Sequence, residues 1–80
     1  MPKLKKSDAE MFNKRLSSNI KRGMDMYDIT SDSMALRMGV SRSTMYARLR
    51  NPQEMKLGEL SAAAKAIHTT PVALLQEAGQ

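Results

Sequence analysis

Four residues in the middle of the chain, Arg42, Ser43, Tyr46 and Ala47, have the types and spacing to read the edges of nucleic-acid bases. On a helix, residues three or four apart share one side, which links Arg42 to Tyr46 and Ser43 to both Tyr46 and Ala47 in a single outward patch. Arg42 opens that helix, and an arginine can grip a guanine through two parallel hydrogen bonds worth roughly 1–3 kcal/mol against a wrong base. Ser43 can bond a base edge or a phosphate. Tyr46 can lay its ring on a thymine methyl or offer its hydroxyl to a phosphate. Ala47 offers only a methyl contact. Around this patch lie groups suited to phosphates: Arg48, Arg50 and Lys56 as cations, Ser31 and Ser33 through N–H groups at a helix start, and Thr44 as a backbone contact or a support of its own helix. The plainer alternative for the arginines and Ser43 is a solvated surface residue, and for Tyr46 half-buried packing.

Such a patch needs a helix held from behind. The run Arg42 to Arg50 places Met45 and Leu49 inward, four apart, with Ser41 as its cap and Asn51-Pro52 as its stop. Before it, Gly39 permits a left-handed turn, Val40 plugs that turn, and Met34, Ala35 and Met38 form the inner face of a preceding helix capped by Thr30 or Ser31. Residues 30–50 therefore read as a helix-turn-helix motif, in which the second helix enters DNA.

The flanks supply the remaining core. Ser7 or Asp8 caps a first helix with Phe12, Leu16, Ile20 and Met24 inside and Asn13, Lys14, Ser17, Ser18 and Lys21 outside. Gly23 either ends it or is passed by a further turn. Tyr27 and Ile29 are expected to be buried at the join. After a loop from Asn51 to Lys56, a helix to Thr69 turns Leu57, Leu60, Ala63, Ala64 and Ile67 inward. Thr69 or Thr70 caps a last short helix with Pro71 in its first position. Val72, Leu74 and Leu75 pack it back, and Ala78 and Gly79 form its frayed end. The expected fold is all-α, five short helices without a strand: a flexible basic arm at residues 1–7, carrying Lys3, Lys5 and Lys6, then a single helix-turn-helix domain at residues 8–78.

Composition narrows the chemistry. The chain has 80 residues, no cysteine, one histidine (His68) and a formal net charge of +5. The charge favours a polyanionic partner. Without cysteine, disulfides and thiolate metal sites are excluded, and a zinc site, which needs three or four ligands, would have to draw nearly all of them besides His68 from carboxylates. Asp25 and Asp28 could form a carboxylate pair but have no base partner, and the expectation is no catalysis, no metal and no small-molecule cofactor. No apolar run is long enough for a membrane span, and the basic N-terminus lacks the apolar stretch of a signal peptide, so the expected compartment is the cytoplasm.

The order of elements resembles the small five-helix DNA-binding domain of the Cro and phage-repressor type. The resemblance rests on Met34-Ala35 followed by Gly39-Val40-Ser41-Arg42-Ser43-Thr44-Met45. It extends to Leu60, Ile67, Thr69-Thr70-Pro71 and Val72-Ala73-Leu74-Leu75, covering residues 12–77. It implies a lambda-repressor-like fold, double-stranded DNA as partner, a role in transcription regulation, and two copies on a palindrome, either as a homodimer or paired only on DNA. Two positions depart from the family. Ser31 stands where a glutamine often braces the base-reading residue, and Ala47 where a basic or polar residue is frequent. The string from Tyr46 to Pro52 instead resembles a phage- or prophage-associated subgroup that ends basic, leucine, basic, asparagine, proline. The alternative reading is a protein-interaction module on the same scaffold, such as a phage or plasmid accessory protein. Exposed methionines among Met11, Met24, Met26 and Met55, without a basic face around Arg42, would mark that reading.

Overall fold

The computed structural model describes residues 8–79. Among them five α-helices follow one another and there is no strand: α1 Asp8–Met26, α2 Ser31–Met38, α3 Arg42–Arg50, α4 Leu57–Ala66 and α5 Pro71–Ala78, with one 3-10 turn at Pro52–Glu54. The basic arm and the capping role of Ser7 lie outside the described residues.

Each helix begins and ends for a local reason. The hydroxyls of Thr30, Ser41 and Thr70 accept the backbone N–H groups of Ser33, Thr44 and Ala73, each at 3.1 Å, so Thr30 and Thr70 are the caps where the sequence leaves two choices. Helices α1, α2 and α4 end alike, on a left-handed residue followed by an N–H that reaches back five residues. Those residues are Asp28 (φ 55), Gly39 (φ 73) and His68 (φ 61). The closing bonds run from Ile29 to Met24, Val40 to Ala35 and Thr69 to Ala64, at 2.8–3.0 Å. Only one of the three is glycine. Asp and His are among the other residue types that tolerate this conformation, so the place of His68 is explained by the chain reversal.

The core is one cluster. Leu16, Ile20 and Met24 of α1 meet Met34, Ala35 and Met38 of α2, Met45 and Leu49 of α3, Leu60, Ala63 and Ala64 of α4, Ile67, and Leu74 and Ala78 of α5. Phe12, Ile29, Val40 and Met55 close its edges. Helix α1 runs beside α5, and α2 packs against both α3 and α4.

Several residues stand elsewhere than the pattern predicts. Ser17, expected on the outer side of α1, is buried and donates its hydroxyl to the Leu49 carbonyl. That carbonyl belongs to the last turn of α3, where no helical N–H is available to it. Tyr27 is exposed, with its ring centroid 4.4 Å from that of His68. Leu57, Val72 and Leu75, expected inside, are 75%, 62% and 37% exposed. Ala78, expected to fray, is fully buried, and its carbonyl accepts a long hydrogen bond from Arg15 at 3.5 Å. Gly23 does not end α1: a Cβ there would lie 2.7 Å from Cδ1 and 2.8 Å from Cβ of Ile67, so its missing side chain is the space into which the end of α4 packs.

Candidate nucleic-acid interface

Three attachments hold α3 in place. Met45 and Leu49 are buried on its inner side, Ser41 caps its start, and Ser17 reaches its last turn. A fourth lies on its flank. The Arg48 guanidinium donates through Nε to Glu59 Oε1 at 2.9 Å, and the same carboxylate oxygen accepts the Lys56 backbone N–H at 3.1 Å. Glu59 is 7% exposed. Burial pushes its carboxyl up, but the Lys56 N–H and the Arg48 charge outweigh that, leaving it below the ordinary carboxylate value. Arg48 and Glu59 thus tie α3 to the first turn of α4.

The outward side of α3 carries the predicted base-reading set. Arg42, Ser43 and Tyr46 are exposed and Ala47 is half-buried beside them. Two of them are already engaged across the turn. Arg42 pairs with Asp32 Oδ1 at 3.3 Å, and the Tyr46 hydroxyl donates to Ser31 Oγ at 3.0 Å. The Ser31 hydroxyl can rotate to donate to the phenolate and, after it, the Arg42 guanidinium favours the same form, so the Tyr46 hydroxyl is more acidic than usual. The start of α2 and the front of α3 are therefore laced together by exposed polar side chains. Such contacts are weak in water and readily exchanged for a ligand. A bound polyanion would have to displace Asp32 from Arg42.

The candidate phosphate-binding residues separate into two groups. Ser33 and Thr44 serve their own helices: their N–H groups are taken by Thr30 and Ser41, the Thr44 hydroxyl accepts from Ser41 at 2.9 Å, and Ser33 accepts from Arg37 at 3.4 Å. Arg48 is turned to Glu59. Ser31, half-buried, stands at the opening of α2 beneath Tyr46, and the exposed side chains of Arg50 and Lys56 flank the far end of α3. Glu59 is the residue that the sequence pattern leaves unassigned. Asp32 and Glu54 are the acids nearest the arginines along the chain, yet it is Glu59 that neutralises Arg48. Its signal is a glutamate three residues after Lys56, where a carboxylate commonly bonds back to the residue before a helix.

Among the described residues no group of three or more histidine or carboxylate side chains could hold a metal ion, and no helix is long and apolar enough to cross a membrane. Of the four methionines considered as a partner surface, Met24 is buried, Met11 and Met55 are half-buried, and only Met26 is strongly exposed, at 67%. No protein-family model matches the chain, and neither does any curated protein or solved structure.

Proposed function

We propose that this chain binds double-stranded DNA and regulates transcription, with α3 lying in the major groove and no chemistry of its own. The observation that carries the reading is the outward side of α3. Arg42, Ser43 and Tyr46 stand exposed on a short helix whose opposite side is buried and whose flank is tied down by Arg48 and Glu59. A rigid helix presenting an arginine, a hydroxyl and a tyrosine near its start has the shape and chemistry that base-edge recognition needs. The Gly39 turn and the net charge of +5 support it. In this reading the fold is lambda-repressor-like, the protein works in the cytoplasm, and a palindromic site takes two copies.

The alternative, a protein-interaction module, has one observation in its favour. An apolar groove of about 600 Å³ lies between α1, the 3-10 turn and the start of α4, lined by Phe12, Leu16, Pro52, Met55, Leu57 and Leu75. It is separate from α3, so the two readings make different demands on Arg42.

Selection from a pool of random duplex DNA tests the proposal. One enriched motif is expected, and Arg42→Ala should abolish the enrichment while leaving the helical circular dichroism unchanged. Binding that enriches no motif, or enrichment indifferent to Arg42→Ala, overturns base reading by α3.

A further inference from the structure

Arg48 is the central cation of the predicted phosphate-binding set, and the fold turns it towards Glu59. Other cations border α3. Arg50, at the end of α3, lines a shallow recess of about 490 Å³ together with Glu10, Lys14, Ser18 and Lys21 of α1 and Asn51. Lys21 also borders a second recess that it shares with Ser31, Tyr46 and Asp25. Lys21 therefore connects the Tyr46 end of the candidate interface with the Arg50 end. By its sequence pattern α1 is a scaffold with a plain polar outer side, which gives neither lysine a role.

We infer that Lys14 and Lys21 of α1, with Arg50 of α3, form a phosphate-binding row alongside the base-reading helix, and that its ligand is the sugar-phosphate backbone of double-stranded DNA. The inference rests on the DNA-binding reading above. Three properties carry it. Lys14, Lys21 and Arg50 are all exposed, and none of them has a salt-bridge partner among the described residues. The two lysines are seven residues apart, two turns of one helix, so they lie on one side about 10.5 Å apart along the axis. Ser18, between them, and Asn51, at the end of α3, add neutral hydrogen-bonding groups of the kind that hold phosphate oxygens. Two carboxylates stand one turn from the lysines: Glu10, which lines the same recess as Lys14, and Asp25, which borders the second recess with Lys21.

An acidic protein surface would satisfy the same cations, and the DNA reading is favoured because the row shares Lys21 with the recess that holds Tyr46 and Ser31. Each cation that neutralises a phosphate contributes about 0.9 to the dependence of log affinity on log salt. The test is fluorescence anisotropy with a random-sequence duplex across a salt series, for the unaltered protein and for Lys14→Gln, Lys21→Gln and Arg50→Gln singly and together. Circular dichroism confirms that each variant folds. Each single change in the row should lower the slope by about 0.9, and the triple variant by about 2.7, an affinity loss on the order of several hundred-fold at 0.1 M salt. If the unaltered protein binds with a steep slope that the triple variant retains, the row is wrong and DNA binding stands. If the unaltered protein does not bind duplex DNA at low salt, the DNA reading fails and the row falls with it.

Discussion

Replacing Arg48 with methionine tests whether the link between α3 and α4 is structural. Methionine keeps an unbranched apolar stem and removes the guanidinium. Glu59, 7% exposed, then loses its 2.9 Å charge-assisted bond but keeps the Lys56 N–H at 3.1 Å. Removing one partner of a fully buried ion pair costs about 3–5 kcal/mol. The Arg48 side chain is 24% exposed, so water can reach the vacated position, and the range for hydrogen bonds to charged groups, about 1.5–3 kcal/mol, is the better measure. For a domain of this size that lowers Tm by roughly 6–24 °C. Glu59→Gln should cost less, because the new amide oxygen can still accept the Lys56 N–H and the Arg48 head can turn to solvent. The pH dependence sharpens the test. The Glu59 carboxyl sits below its ordinary value of 4.5, so its contribution is complete above that value and is lost as pH falls through the lowered folded value. Urea unfolding followed by far-ultraviolet circular dichroism, at pH 7 and again in acid, reads both effects. A deficit for Arg48→Met under about 0.5 kcal/mol at pH 7, the level of an exposed pair, would refute the argument. So would a deficit that does not shrink in acid.

Two further outcomes follow from the packing. Gly23→Ala should destabilise the protein although alanine is the better helix former by about 1 kcal/mol, because the new Cβ meets Ile67 at 2.7–3.1 Å and overpacking costs about 1–3 kcal/mol. Ile67→Val should recover part of that loss in a double-mutant cycle, and a Gly23→Ala protein that melts higher than its parent would contradict the close approach of α4. Ser17→Ala should cost about 1–2 kcal/mol by taking the donor from the Leu49 carbonyl. Hydrogen exchange should then quicken at the end of α3 before it quickens in α5, and uniform protection at the end of α3 would argue against a link there.

Features that depend on neighbours a few residues away are legible in the sequence. The four-residue spacing of Leu16, Ile20 and Met24 makes one side of α1 apolar, and the same logic places Met34, Ala35 and Met38, and Met45 and Leu49. The hydroxyl before each of α2, α3 and α5 marks a start, and Gly39 marks the turn, because caps and left-handed residues act within one helical turn. Features that depend on where one helix crosses another emerge only from the packing. Ser17 is inside because the end of α3 lies against α1, and Ala78 is inside because α5 runs beside α1. Leu57 and Val72 carry apolar side chains on helices too short to bury every such position, so the packing angle settles their exposure. The same applies to the candidate site. The outward side of α3 is legible in the order of its residues, whereas the pairing of Arg48 with Glu59 and the meeting of Lys14 and Lys21 with Arg50 bring together residues 11 or more positions apart. Periodicity reports which side of a helix is apolar, and it carries no information about which charged group the neighbouring helix brings to the other side.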